Sequence, residues 1–199
     1  MGFNRRGVRA SVVATMFALA LAIPAAAQHA ASPLARIRID NFGMINTNYY
    51  RGAQPKGHDY ADLAALGVKA VIDLTNDDGE ASEPAMVKST GMKSFKIPMS
   101  GHVPPTRAQL DAFMKIVNDP QNQPVYVHCV GGRHRTGVMT AAYRMINDGW
   151  TGQRAFAEMK TYKFGADFLH PEFKRFVLAY KTEPKGSMPP PVVALTTPE

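Results

Sequence analysis

One stretch concentrates the reactive side chains of this 199-residue chain: His128-Cys129-Val130-Gly131-Gly132-Arg133-His134-Arg135-Thr136-Gly137. Cys129 is the single cysteine, so it can enter neither an internal disulfide nor a multi-cysteine metal site. Glycines at 131 and 132 have no side chain to obstruct a turn, and successive backbone N–H groups can face inward as a cup about the size of a phosphate. Arg135 can close that cup, because a planar guanidinium grips two phosphoryl oxygens and follows them into a transition state better than a lysine does. A cysteine at the base of the cup would meet N–H donors, arginines and the positive end of the following helix, all of which favour the thiolate. A thiolate facing bound phosphate is a nucleophile: it would take the phosphoryl group as a cysteinyl-phosphate and pass it to water, with no metal and no other cofactor. Thr136 can donate its hydroxyl to the sulfur as it leaves. The phosphate contacts expected from this loop are Val130, Gly131, Gly132, Arg133, His134 and Arg135. His128 reads either as an orienting group behind the thiol or as a satisfied core histidine, since a base beside an ionised thiol is unnecessary. Packing as a small buried hydrophobe is the common fate of a free cysteine, but it leaves the neighbouring glycines and arginines unexplained.

This chemistry needs a strand that ends at Cys129 and a helix that starts just after the loop, because ligands of open α/β sheets bind beyond the carboxyl ends of strands. Val125-Tyr126-Val127 supplies the strand, and a helix is expected over 136–147. Upstream, residues 28–47 hold no long periodic pattern, and Tyr49-Tyr50-Arg51 reads as a short strand running into a turn at Gly52, Gln54 and Pro55. Tyr60, Leu63, Ala64 and Leu66 recur at helical spacing and stop at Gly67, after which 70–74 is a compact apolar strand. A short helix over 82–90 and a strand over 95–98 follow. Thr106 caps a helix carrying Leu110, Phe113, Met114 and Val117, and two more helices are expected over 151–160 and 171–180. The alternation predicts one α/β domain over 28–183, with a short, mostly parallel central sheet and helices on both faces. Tyr49, Tyr50 and Trp150 could line a pocket, although aromatic residues beside a sheet are more often core.

Composition agrees with a soluble globular domain: 45% of the residues are hydrophobic and 20% charged, which argues against a disordered, fibrous or multi-pass membrane chain. Residues 1–27 show a basic start (Arg5, Arg6, Arg9), an apolar run from Ala10 to Ile23, and Ala25-Ala26-Ala27, the zones of a secretory signal cleaved after Ala27. The run falls short of the roughly 20 residues that span a bilayer. Export to the periplasm or cell envelope is therefore expected, with no stable membrane insertion after cleavage. The formal charge of +7 loses three arginines with that segment, leaving 20 basic against 16 acidic residues, or +4. So mild and scattered a charge suits small anions and not a nucleic acid. From Pro184 to the end the chain is proline-rich and patternless, the composition of a disordered tail over 184–199.

Cys, five residues, Arg and Thr, with His before the Cys, is similar to the signature loop of the cysteine-dependent protein tyrosine and dual-specificity phosphatases. Asn41-Phe42-Gly43-Met44, Tyr50-Arg51-Gly52-Ala53-Gln54-Pro55 and the stretch from Gly132 to Gly137 resemble the atypical dual-specificity branch of plants and fungi and its exported bacterial relatives. The resemblance runs from about residue 38 to residue 181. It implies the compact phosphatase fold, Cys129 as nucleophile and Arg135 as phosphate clamp. It also implies an aspartate, in the loop before the helix that precedes the signature strand, to protonate the leaving oxygen. Here that loop reads Pro98-Met99-Ser100-Gly101-His102-Val103-Pro104-Pro105, with His102 as its single titratable group. His102 is either the acid, as an imidazolium, or an exposed loop histidine. Asp77, Asp78 and Glu80 are alternative acids or solvated turn residues.

The expected activity is that of a metal-independent phosphomonoesterase acting on phosphotyrosine-type esters of proteins or small molecules. Arg133 and His134 on the rim would favour polyanions such as inositol polyphosphates, or are simply solvated. A phosphate-binding module without turnover is an alternative, given the missing aspartate. Arsenate reduction lacks resolving cysteines, and sulfur transfer usually lacks the Arg-Thr-Gly ending.

Overall fold

Short apolar runs alternating with amphipathic segments build a five-stranded sheet between two sets of helices. The computed structural model describes residues 1–2 and 33–181, so nearly all of the expected signal segment and the whole proline-rich tail lie outside the described residues. The elements are β1 (Gly43–Asn46), β2 (Tyr49–Ala53), α1 (Asp59–Ala65), β3 (Ala70–Asp73), α2 (Glu83–Ser89), β4 (Lys93–Lys96), α3 (Arg107–Val117), β5 (Val125–Cys129), α4 (Arg135–Asn147), α5 (Gly152–Thr161) and α6 (Pro171–Ala179), preceded by a 3-10 turn over Pro33–Arg36. No helix among the described residues is long and apolar enough to cross a membrane.

The strand order is β1-β2-β5-β3-β4, with β1 antiparallel to β2 and every other pair parallel. β5 lies at the centre and is buried at every position, as a parallel strand covered on both faces must be. Its side chains alternate between two cores. Val125, Val127 and Cys129 join the layer that includes Phe113, Met139, Met159 and Phe173, whereas Tyr126 joins the layer formed with Leu63, Val71 and Val87. α4 starts at the carboxyl end of β5 and is buried along most of its length, because α3, α5 and α6 all pack against it.

The predicted α/β architecture and its mostly parallel sheet match this arrangement. Two local expectations need correction. Residues 28–47 include an edge strand, β1, which four residues of mixed burial could not announce by periodicity; its antiparallel pairing of Gly43 with Arg51 makes it a strand. The strand expected over 95–98 is displaced to β4, because pairing of Lys93 with Ala70 sets its register on the exposed edge. Tyr49 and Tyr50 are core residues, one in each layer. Trp150 lines no pocket of the site; its ring lies between the guanidinium carbons of Arg144 and Arg154, 4.3 and 3.8 Å from the centroid.

Candidate active site

The loop over 130–134 closes into a cup because backbone from β2 stands directly behind it. Gly132 has φ +63°, a region that side chains disfavour, and a Cβ there would lie 2.7 Å from the Ala53 nitrogen and closer still to the Gly52 carbonyl. The loop's carbonyls are tied down from the same side. Gln54 N donates to Val130 O at 3.1 Å, Asn41 Nδ2 donates to Gly132 O at 2.8 Å, and Arg51 Nη2 donates to the same oxygen. Arg51 is fully buried, its guanidinium carbon 4.1 Å from the centroid of the Tyr162 ring, with Nε and Nη1 unpartnered. Burial pushes its pKa down from the usual arginine value, but the group remains a cation at neutral pH. A lone arginine inside the strand Tyr49-Tyr50-Arg51-Gly52-Ala53 was a legible signal of this role, which sequence reasoning did not use.

Cys129 forms the floor, 3% exposed, in a pocket lined by Gly101, His102, Val130, Gly131, Arg133, His134, Arg135 and His170. The thiol is thus recessed, at the base of the cup as expected. Arg135 enters from the first turn of α4, and its fork is filled by Asp78: Nη1 lies 2.9 Å from Oδ1 and Nη2 2.6 Å from Oδ2, while Nη1 also donates to Met99 O at 3.3 Å. Bonding to Arg135 holds the Asp78 carboxyl at about 2. Reciprocally, although burial opposes its charge, Asp78 and Cys129 raise the pKa of Arg135. Asp78, offered as an alternative acid, is therefore an ionised partner of the arginine in this state. Glu80 bonds Ser82 and, like exposed Asp77, does not line the pocket.

Thr136 departs from expectation. Its buried hydroxyl makes no hydrogen bond, so the bond to the Cys129 sulfur is not formed here. His128 points away from the pocket into the other layer, its Nε2 2.9 Å from Glu83 Oε1 and both side chains buried; Tyr60 donates to the same Glu83 oxygen. His128 is thus a buried group behind the thiol, paired with an acid from α2. Arg133 stands on the rim, 3.9 Å from Asp40. The His134 ring turns from the cup and donates from Nε2 to Phe164 O at 3.0 Å; burial, with Arg133, Arg135 and His170 nearby, holds its pKa below the usual histidine value.

The wall opposite the cup is made of imidazoles. His102 is 76% exposed, its Nδ1 3.8 Å from Glu172 Oε1 and its ring stacked on His170 with centroids 5.0 Å apart. His170 Nδ1 lies 3.2 Å from the same Glu172 oxygen, and its ring centroid is 3.7 Å from that of His134. His170 and Glu172 carried no sequence signal, since nothing in Leu169-His170-Pro171-Glu172 indicates that α6 begins beside residue 102. Two triads, His102-His170-Glu172 and Asp73-Glu83-His128, bring possible metal donors within 4.8 Å. In the first, both imidazole Nδ1 atoms approach the same Glu172 oxygen; in the second, Asp73 already holds Lys96 and Thr75.

The chain is similar to known proteins in sequence and in fold. A family model described as DSP-PTPase phosphatase fused to NAD+ kinase matches residues 40–174. The inositol diphosphatase SIW14 of Saccharomyces cerevisiae is 28% identical over 130 residues, covering 63% of this chain and 46% of that protein; the chain spans about half the length of most of the curated relatives it matches best. The crystal structure of the SIW14 core catalytic domain in complex with citrate aligns with a TM-score of 0.63 at 26% identity, covering 73% of this chain and 88% of that one. TpbA of Pseudomonas aeruginosa, a dual specificity protein phosphatase, aligns with a TM-score of 0.62 at 25% identity over 71% of this chain and 86% of its own. With the cup, the thiol and the arginine in the matched region, the chain belongs to the cysteine-dependent dual-specificity phosphatase family, DSP-PTPase.

Proposed function

We propose that this chain is a metal-independent phosphomonoesterase that hydrolyses phosphotyrosine-type esters, on proteins or small molecules, through a cysteinyl-phosphate on Cys129. The observation that carries this reading is the single thiol recessed at the floor of a pocket lined by the 130–135 loop, with Arg135 at its side. An incoming phosphate dianion replaces Asp78 in the Arg135 fork and lies against the backbone of 130–135. The Cys129 sulfur attacks phosphorus as the ester P–O bond breaks, and the leaving oxygen takes a proton from His102. Water then attacks the cysteinyl-phosphate and returns a proton to His102, inorganic phosphate forms, and the sulfur departs as thiolate. The unpaired Thr136 hydroxyl is at hand to donate to that thiolate, a use that accounts for leaving a buried donor unsatisfied at a cost of about 1–3 kcal/mol. Phenols leave with less help than alkyl alcohols, so aryl phosphates are the better substrates.

The basic, apolar and small-residue zones of residues 1–27 support export, and phosphotyrosine on proteins of the periplasm or cell envelope fits that address. A second reading, an inositol polyphosphate or diphosphate as substrate, is favoured by Arg133 on the rim and by the similarity to SIW14, named an inositol diphosphatase.

The test is phosphate release from an aryl phosphate in the presence of a chelator, beside Cys129→Ser, Arg135→Lys and His102→Ala. Activity that persists with chelator and vanishes in Cys129→Ser supports the mechanism. A protein that binds phosphopeptides and releases no phosphate overturns it and is a receptor for phosphate.

A further inference from the structure

We propose that Glu172, at the start of α6, positions His102 as the proton donor, with the ring of His170 as its platform; this rests on the reading of His102 as the acid. His102 lies on a loop that is tethered at its two ends, where Gln109 Nε2 donates to Pro98 O at 2.6 Å and the Thr106–Gln109 capping box starts α3. Between those tethers the loop supplies one hydrogen bond to hold the residue, from His102 N to Ser100 Oγ. An acid so loosely held would spend little time aligned with a leaving oxygen. α6 provides what the loop lacks.

Two contacts from the N-cap and first turn of α6 converge on His102: the stacked ring of His170 and the carboxylate of Glu172, 3.8 Å from Nδ1. The carboxylate is itself anchored, since it lies 3.2 Å from His170 Nδ1 and sits in the first turn of a helix, where the N-terminal dipole favours an anion. Burial disfavours its charge, but its own backbone N–H, His170 and His102 outweigh that and keep its pKa below the usual glutamate value. A carboxylate on the Nδ1 side attracts the proton there and leaves Nε2 to face the substrate, the logic by which a buried acid orients a catalytic imidazole.

Around His102 the phosphate loop and α4 present Arg133, His134 and Arg135, β5 presents the Cys129 thiol at the floor, the N-cap of α6 presents His170, and the 99–105 loop adds no further titratable group. Asp78 has its charge engaged by Arg135 and the Cys129 sulfur is recessed at the floor, so Glu172 is the carboxylate that stands beside His102 Nδ1. His134 is a poor alternative donor because its Nε2 is committed to Phe164 O, and His170 is held between two rings with Nδ1 on Glu172.

The proton path balances without another reactant. His102 Nε2–H passes to the ester oxygen as the P–O bond breaks, and the neutral ring accepts a proton from the attacking water in the second step.

The experiment measures kcat, KM and pH dependence of the full-length protein, Glu172→Gln, Glu172→Asp and His102→Ala, with p-nitrophenyl phosphate as a good leaving group and phenyl phosphate as a poor one. In Glu172→Gln, kcat/KM on phenyl phosphate, which reports departure of the leaving group, is expected to fall about 10- to 100-fold, a part of the roughly 10²–10⁴ that general acid catalysis supplies. On p-nitrophenyl phosphate kcat/KM should change less than about 3-fold. The alkaline limb of the kcat profile moves to lower pH, Glu172→Asp recovers part of the loss, and the double variant with His102→Ala is no worse than His102→Ala alone. Equal losses of kcat/KM on both substrates, or a double variant that adds the two effects, would mean that Glu172 merely stabilises α6 and would overturn the proposal. If His102→Ala shows no leaving-group dependence, the acid assignment itself falls; if His102→Ala shows it and Glu172→Gln does not, only the positioning role falls.

Discussion

The floor and the wall of the pocket are built on opposite plans. The floor, residues 128–137, is one contiguous stretch between a central strand and a central helix, held by buried backbone contacts from β2 and by the buried cation of Arg51. The wall brings together His102 from one loop, Asp78 from another and His170 with Glu172 from the head of α6, and its contacts are ion pairs and stacked rings near solvent. The difference teaches where tolerance lies: steric necessity governs the floor, whereas charge and orientation govern the wall. Floor substitutions should therefore cost activity on every substrate, and wall substitutions should cost it selectively.

The largest effect expected is on Cys129→Ser, which removes the proposed nucleophile and should lower phosphate release by at least about 10³-fold on all esters. A residual rate that varies with the leaving group would blur the distinction between floor and wall. Next, Arg135→Lys should lower kcat about 10²- to 10³-fold, because a single ammonium cannot replace a fork that follows the transferring oxygens. Gly132→Ala should destabilise the fold by about 1–3 kcal/mol through its positive φ, and by more through the close approach of Gly52, with activity falling in parallel. Thermal unfolding read beside kcat checks this, and an unchanged melting temperature would deny the steric account of the floor.

On the wall, Asp78→Asn should leave kcat nearly intact and strengthen inhibition by phosphate or vanadate by a few-fold, since it removes a competitor for the Arg135 fork. Weakened inhibition would show instead that Asp78 preorganises the arginine for phosphate. The smallest expected effect is on stability against pH. The folded-state pKa of Asp78, about 2, lies below the ordinary carboxylate value of about 3.9. Its contribution is therefore fully present above about pH 4 and is lost as pH falls through about 2. With the Asp78 side chain 53% exposed the pair is screened by solvent, so wild type and Asp78→Asn should differ by less than about 1 kcal/mol near neutral pH and converge in acid, as read from urea unfolding across that range.

The legible parts of the molecule share a property with the floor. β5, its loop and the start of α4 could be read directly because strand, glycine turn, arginine and helix follow one another in the chain, so local chemistry and tertiary position coincide. The amphipathic helix α3 was equally plain, its apolar spacing and its Thr106 cap being local properties. β1 was not legible, because an edge strand of four residues exists through its pairing with β2 and not through any pattern of its own. The same holds for the register of β4, which Ala70 sets from the neighbouring strand.

The sequence by itself determined the thiol, the arginine, the glycine turn between them and the α/β order that sets them at a strand end, since each depends on residues adjacent along the chain. Only the tertiary structure decided what those groups meet: Asp78 filling the Arg135 fork, Arg51 buried behind Gly132, the Thr136 hydroxyl left unpaired, and Glu172 reaching His102 across 70 positions of sequence. The physical reason is that chain connectivity constrains neighbours a few residues apart, whereas contacts between distant segments are selected by the packing of whole layers, in which a single charged side chain leaves no periodic trace.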